Sequence, residues 1–93
     1  MIAGFADRDT ALLFQRQRVR RFPTALQQAM RRKLLLLDAA TALDELRVPP
    51  GNRLEKLKGD RAGQYSIRVN DQWRVCFRWA DGAAHDVAIV DYH

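Results

Sequence analysis

Residues 73–79 read Trp-Arg-Val-Cys-Phe-Arg-Trp, and this heptapeptide determines how the rest of the chain can be arranged. Large apolar side chains take every second position, a period that predicts a β-strand with one buried face. The same alternation occurs over residues 65–69, and the turn-forming pair Asn-Asp at 70–71 separates the two segments. After a second turn, Asp-Gly at 81–82, residues 85–92 complete a predicted antiparallel meander of three strands.

The first half of the chain has a helical period instead. Between Pro23 and about residue 40, apolar side chains recur every three to four positions and form one stripe: Leu26, Met30, Leu34 and Leu37. Pro23 suits the first position of this helix. Before it, residues 1–5 are short and apolar, as expected of an edge strand, and Asp7 or Asp9 can cap a first helix.

These elements predict an α+β fold of order β-α-α-β-β-β, in a single domain spanning residues 1–93. The two helices carry the apolar stripes that can cover the sheet, so we expect both to pack on one of its faces. The apolar side chains of the central strand should then face the helices: Trp73, Val75, Phe77 and Trp79. The intervening positions should lie on the opposite, wetter face, joined by one residue of the neighbouring strand: Arg74, Cys76, Arg78 and Arg68.

Composition and short motifs exclude several classes of protein. The one cysteine, Cys76, can form no disulfide within the chain, and two histidines are too few for a typical zinc site. No glycine-rich phosphate loop or dinucleotide fingerprint is present, so we expect neither a metal nor a cofactor. The longest apolar run, residues 34–40, is interrupted by Asp38 and is far short of the ~20 residues that span a bilayer. With no signal-peptide pattern at its start, the chain is expected to be cytoplasmic and away from membranes.

Charge is distributed unevenly along the chain. Lys and Arg outnumber Asp and Glu by 16 to 11, and most of the cations are arginine. Residues 16–37 contain no acid but a block of basic side chains: Arg16, Arg18, Arg20, Arg21, Arg31, Arg32 and Lys33. Such a block attracts polyanions, which leaves nucleic acid, an anionic membrane surface or an acidic protein as partners, or else a merely solvated surface. Arginine favours forked contacts to phosphate, so nucleic acid is the preferred interpretation.

A set of residues sufficient to cleave RNA is present. Cleavage of a phosphodiester by its own 2′-hydroxyl needs a base, a proton donor and stabilisation of the charge on phosphorus, without a metal. Lys58 and Arg74 can bind the phosphate, and the terminal Asp91-Tyr92-His93 offers proton-transfer groups. The strand order allows all of them to meet at one end of the sheet. Taken alone, a terminal histidine is more often a frayed chain end.

Several short motifs, in this order, resemble a known family. They are Val-Pro-Pro-Gly-Asn at 48–52, Leu-Lys-Gly-Asp-Arg at 57–61, Tyr-Ser-Ile-Arg at 65–68, Asp-Gln-Trp-Arg-Val at 71–75 and the closing Val-Asp-Tyr-His at 90–93. Together they look like the HigB toxin branch of the RelE/ParE superfamily, over essentially the whole chain.

The resemblance implies a toxin of a type II toxin–antitoxin system. For the HigB branch it further implies a ribosome-dependent endoribonuclease that cuts mRNA in the A site by metal-independent attack of the 2′-hydroxyl. It implies a cognate HigA-like antitoxin with a helix-turn-helix, which neutralises the toxin and, together with it, binds operator DNA. The family's phosphate-binding and catalytic positions fall on Lys58, Arg74, Asp91, Tyr92 and His93, with Asp91 and His93 sharing the acid–base work and Tyr92 stacking on the nucleotide. By charge, further residues are candidates for contacts with RNA or the ribosome: Arg53, Lys56, Arg61, Arg68, Arg31, Arg32 and Lys33.

One position departs from the family pattern. Some relatives carry a histidine three residues before the lysine, where this chain has Glu55. This carboxylate could replace a base, or it could repel the phosphate and weaken the enzyme. Two other functions remain open on the sequence: inhibition of DNA gyrase, as by ParE-like toxins of the same fold, and plain binding of nucleic acid without cleavage.

Overall fold

The computed structural model describes residues 1–92, so the predicted role of His93 lies outside the described residues. Two α-helices come first, α1 (Arg8–Phe14) and α2 (Gln27–Ala39). Four strands follow: β1 (Glu55–Lys56), β2 (Tyr65–Arg68), β3 (Trp73–Ala80) and β4 (Ala83–Asp91). Four short 3₁₀ turns lie in three of the connections: Thr24–Leu26 between the helices, Leu43–Arg47 and Pro50–Asn52 between α2 and β1, and Gly59–Arg61 between β1 and β2.

The strands form one antiparallel sheet in the order β1-β2-β3-β4, which confirms the predicted meander and the α+β class. The two-residue strand β1 was not expected. The N-terminal segment does lie beside the sheet, but it makes two isolated parallel bridges to β4, Ile2 with Ala84 and Phe5 with Val87, rather than a continuous strand. At the β3–β4 turn, Asp81 and Gly82 both have positive φ, as a tight hairpin requires.

Helix α1 begins where the sequence predicts, whereas α2 begins about one turn later than predicted. The side chain of Asp7 caps α1 by accepting a 2.7 Å hydrogen bond from the backbone N–H of Thr10. Pro23 precedes a single 3₁₀ turn, and α2 proper begins at Gln27. The buried Gln27 amide donates to the carbonyls of Val19 and Phe22, and thereby anchors the loop between the helices.

The hydrophobic core lies between the helices and one face of the sheet. Val75 and Phe77 are fully buried on that face, as the alternation predicts, against an equally buried α2 stripe of Met30, Leu34 and Leu37. Trp73 packs edge-on against Phe22, with ring centroids 5.6 Å apart. No helix within residues 1–92 is long and apolar enough to cross a bilayer.

The prediction for the opposite face of the sheet is partly wrong. Arg78 is exposed, but Cys76 is fully buried and Arg74 is only 8% exposed. The reason is that the segment between α2 and β2 folds over this end of the face, where the Arg53 carbonyl contacts Arg74. A two-residue period shows which side chains share a face, but not which distant segment covers that face.

Candidate functional site

Arg74 lies near the start of β3, between Arg68 of β2 and Val90 of β4, and is held in one orientation. Its Nε donates a 2.7 Å hydrogen bond to Oγ of Ser66, and its Nη2 donates a 2.7 Å hydrogen bond to the carbonyl oxygen of Arg53. The same Nη2 lies 3.8 Å from a carboxylate oxygen of Glu55, and the guanidinium carbon lies 5.8 Å from the centre of the Tyr92 ring. A cation fixed in this way can stabilise charge on a ligand without first reorganising.

A buried amide supports the carbonyl that Arg74 contacts. Arg53 adopts a left-handed backbone conformation with φ of 45°. Next to it, the fully buried Asn52 donates to the carbonyls of Leu46 and Val48, both at 3.2 Å, and accepts a 2.5 Å hydrogen bond from Nζ of Lys33. Asn52 therefore fixes the turn that presents the Arg53 carbonyl to Arg74.

Sequence reasoning missed Asn52, because Pro-Pro-Gly-Asn indicates only a break between regular elements. It also grouped Lys33 with cations that contact RNA. The structure places the Lys33 ammonium against Asn52, where burial lowers the pKa of the lysine. Its neighbour Arg31 likewise binds within the protein, donating from Nε to the Leu13 carbonyl at 2.9 Å, whereas Arg32 is exposed.

Asp91 and Tyr92 lie at the end of β4, beside the start of β3. Asp91 pairs with Trp73 in the sheet register, and its carboxylate accepts a 3.1 Å hydrogen bond from the side-chain amide of Gln72. The backbone N–H of Tyr92 donates to the Gln72 carbonyl at 2.6 Å. Tyr92 is 40% exposed, and one face of its ring is turned to Arg74, so a nucleotide can reach the residue.

Lys58 is exposed on the loop that follows β1, immediately before the 3₁₀ turn at Gly59–Arg61. This loop is anchored by the buried Leu57, whose N–H donates to the Gln64 carbonyl at 2.8 Å. Gly59 and Gly63 both have positive φ, which glycine adopts without strain. Lys58 thus lies three residues beyond Glu55, whose carboxylate is paired with Arg74.

The remaining predicted RNA-contacting cations lie in different settings. Arg53 and Lys56 are exposed. Arg61 donates to the side chain of Gln64 at 3.3 Å. Arg68 lies opposite Arg74 in the sheet register and forms an ion pair with Asp71 in the β2–β3 turn.

The site as described consists of the fixed guanidinium of Arg74, an aromatic ring and carboxylates. Within residues 1–92, no three His, Cys, Asp or Glu side chains come together as a metal site would require. The Cys76 thiol lies close enough to Arg61 and Arg74 to be influenced by their charges, yet burial outweighs them and raises the pKa of the thiol. Such a buried neutral thiol is a poor nucleophile.

Two helices on one face of a four-stranded antiparallel sheet form the RelE-like toxin fold. A chain of the YoeB–YefM complex from Staphylococcus aureus has the same fold, with a TM-score of 0.62 and 17% sequence identity, over 100% of this chain and 98% of that chain.

Sequence comparison narrows the class to one family. The model of the family described as "RelE-like toxin of type II toxin-antitoxin system HigB" matches residues 3–93. A protein named "Toxin HigB-1" from Vibrio cholerae is 52% identical over 68 residues, which are 73% of this chain and 72% of the relative. "Endoribonuclease HigB" from Proteus vulgaris is 34% identical over 97 aligned positions, covering all of both chains. The chain therefore belongs to the HigB-like family of RelE-like toxins.

Proposed function

We propose that this toxin is an endoribonuclease that cleaves mRNA in the ribosomal A site. The observation that carries the proposal is the fixed guanidinium of Arg74, which lies beside an exposed tyrosine and the carboxylate-bearing end of β4. Alignment over the full length with a relative named as an endoribonuclease supports the same reaction.

In the proposed reaction, the 2′-oxygen of one nucleotide attacks the adjacent phosphorus and the bond from phosphorus to the 5′-oxygen breaks. A new 2′,3′-cyclic phosphate forms on one fragment and a 5′-hydroxyl on the other. Arg74 and Lys58 stabilise the negative charge that builds up on the phosphate oxygens. Asp91 and His93 transfer the two protons, one from the 2′-hydroxyl and one to the leaving oxygen. Tyr92 supports a neighbouring base through its ring. No step requires a metal.

The position of Glu55 favours attenuation rather than base catalysis. Its carboxylate faces the same nitrogen of Arg74 that faces the Arg53 carbonyl, so an incoming phosphate must compete with it for the guanidinium. The Glu55 side chain is 53% exposed, which allows it to swing away into solvent when RNA binds. Glu55 therefore lowers the affinity for the scissile phosphate without blocking the site.

The proposal extends to the partners of the toxin. A HigA-like helix-turn-helix antitoxin neutralises it in the cytoplasm and connects it to operator DNA. The ribosome and mRNA are its targets. The exposed cations Arg32, Arg53 and Lys56 are available for contacts with ribosomal RNA, whose phosphate backbone attracts them.

Ribosome dependence is tested by adding the purified toxin to a translating extract and mapping new 5′ ends on a defined message. A second copy of the message lacking its start codon is the matched control. We expect cuts within the translated codons of the first message and none at the same positions in the second. Equal cutting of both messages would contradict ribosome dependence, and intact messages together with a block of gyrase supercoiling would indicate a gyrase inhibitor.

A further inference from the structure

A cleft of ≈ 620 Å³ follows the part of β4 that the N-terminal segment leaves uncovered. The last bridge of that segment joins Phe5 to Val87, and the cleft begins at the next residue. Its apolar lining consists of Trp73 and residues 88–90. Its charged lining comes from both layers of the fold: Asp7, Arg21, Arg61 and Asp91. The volume lies within the range of about 300–1,000 Å³ that is usual for small-molecule sites.

The cleft passes around the edge of the sheet towards the site described above. Val90 lies opposite Arg74 in the register of β3 and β4, and Ala88 lies opposite Cys76. The side chains of Val90 and Ala88 therefore lie on the same face of the sheet as Arg74, the face away from the helices. Trp73 belongs to the helix-covered face, where it packs on Phe22. A ligand in the cleft therefore contacts both faces and touches Asp91, one of the proposed catalytic residues.

Arg21 is held firmly at the helical side of this cleft. Its Nη2 donates a 3.3 Å hydrogen bond to the carbonyl of Ile89, and its guanidinium forms ion pairs with Asp7 at 3.6 Å and Asp9 at 3.5 Å. The guanidinium carbon also lies 4.5 Å from the centre of the Phe22 ring. The Arg21 side chain nevertheless remains 46% exposed, so part of a preorganised donor group faces solvent.

The charges that line the cleft indicate which part of a nucleotide it suits. Two arginines and two aspartates line it, so their formal charges cancel and a phosphate gains little there. A nucleobase is neutral, offers both donors and acceptors along its edge, and has a flat apolar face. Proteins read single-stranded RNA through such unstacked bases, using edge hydrogen bonds and contacts with arginine or aromatic planes.

We propose that the cleft receives one unstacked base of the RNA, next to the phosphate bound at Arg74, and that Arg21 contacts the edge of this base. The inference rests on the proposed function, and it adds a residue that determines which codons are cut. The ion pairs with Asp7 and Asp9 position Arg21 for this contact.

The test compares Arg21→Gln with Arg20→Gln in the translating extract. Both variants remove one exposed positive charge from the same loop, but Arg20 does not line the cleft. Ranking the codons by cutting frequency gives a pattern that does not depend on the overall rate. In Arg21→Gln, we expect the ratio of cutting frequencies between the most and the least favoured codons to fall about tenfold, as the loss of a base-edge contact does. In Arg20→Gln, this ratio should stay unchanged.

An unchanged codon pattern in Arg21→Gln would overturn the proposal. The same result combined with weaker binding of the antitoxin would assign the cleft to a protein partner instead. If Arg21→Gln does not fold, Ala88→Leu is tested instead. The larger side chain fills the cleft from β4 and leaves the ion pairs of Arg21 with Asp7 and Asp9 intact. For this variant too, a changed pattern supports the proposal and an unchanged one overturns it.

A ribosome-free measurement separates failure of this inference from failure of the proposed function. The chain has two tryptophans, of which Trp73 lines the cleft and Trp79 does not. Titration with the four 5′-mononucleotides should shift the indole N–H resonance of Trp73 saturably and leave that of Trp79 in place. Binding without cleavage in the extract would contradict the nuclease activity and support base binding in the cleft. Cleavage with no shift at Trp73 would contradict base binding in the cleft and support the nuclease activity.

Discussion

The carbonyl oxygen of Arg53 accepts a 2.7 Å hydrogen bond from Nη2 of Arg74, across a sequence separation of 21 residues. This bond joins the turn before β1 to the centre of the sheet. It also leaves Arg74 oriented towards Glu55 and Tyr92, so the geometry of the proposed active centre depends on a backbone group in an irregular loop.

Replacing Asn52 with alanine should destabilise the protein and impair cleavage. The change removes the hydrogen bonds to the Leu46 and Val48 carbonyls and leaves the Lys33 ammonium without its acceptor. Unsatisfied buried groups of this kind cost about 1–3 kcal/mol, which urea denaturation can measure. Gln28→Ala, on the exposed side of α2, is the control and should change the free energy of unfolding by less than about 0.5 kcal/mol. Equal stability of the two variants would contradict the role given to Asn52.

Removing the charge of Glu55 should increase cleavage. In Glu55→Gln the carboxylate no longer competes with the phosphate for Arg74. We expect a gain of up to about fivefold, since an ion pair at 3.8 Å whose carboxylate is 53% exposed contributes about 1 kcal/mol or less. The initial rate of message cutting measures the effect. Asp44→Asn, which breaks the exposed ion pair with Arg47, is the control and should leave the rate unchanged. A large loss of activity in Glu55→Gln would instead identify Glu55 as a base.

Substitutions at Trp73 should show how much its ring contributes to the stability of the core. Trp73→Ala should lower the free energy of unfolding by roughly 3–5 kcal/mol, because it empties the space beside Phe22. Trp73→Phe should cost markedly less, because it keeps an aromatic ring beside Phe22. Both variants remove the indole N–H, which is buried without a hydrogen-bond partner in the described part of the chain. Thermal denaturation of the two variants compares these costs, and equal destabilisation would contradict the argument.

Cys76 should make stability fall at alkaline pH. Burial raises the pKa of its thiol above the ordinary value of 9.0, so the unfolded chain loses the thiol proton at a lower pH than the folded chain. Above the unfolded pKa the folded state binds more protons, and the free energy of unfolding therefore decreases as the pH rises. Urea denaturation between pH 7 and about pH 10 should show a steeper decline for the natural chain than for Cys76→Ala. Parallel curves would indicate a thiol that ionises equally in both states.

Local patterns in the sequence were sufficient to predict much of the fold. The alternation from Trp73 to Trp79 predicted β3 and the side of it that the helices cover, and Asp7 predicted the start of α1. Each of these features depends on residues that are close together in the chain. Burial of Arg74 and Cys76 was not predictable in this way, because it depends on a loop that folds back from about 20 residues earlier.

The sequence likewise predicted some residues of the site and not others. The motif resemblance selected Arg74 and Tyr92, and the structure brings these two side chains together. It included Asn52 as the last residue of the motif at 48–52 but gave it no role, because the Asn52 amide acts through hydrogen bonds to backbone groups. It gave no signal for Arg21, because only the tertiary fold brings the helical loop to the edge of β4.

The central claim is that the oriented guanidinium of Arg74 carries the phosphodiester chemistry. The most direct measurement is the rate of message cutting by the natural chain, Arg74→Lys and Arg74→Ala in the translating extract, with folding of each variant checked by thermal denaturation. Lysine keeps the charge but cannot reproduce the fork that joins Ser66 and the Arg53 carbonyl. We predict that both variants fold and that both lose at least about 100-fold in rate, as the removal of one charge-stabilising donor does in other enzymes. Folded variants that cut as fast as the natural chain would contradict the account.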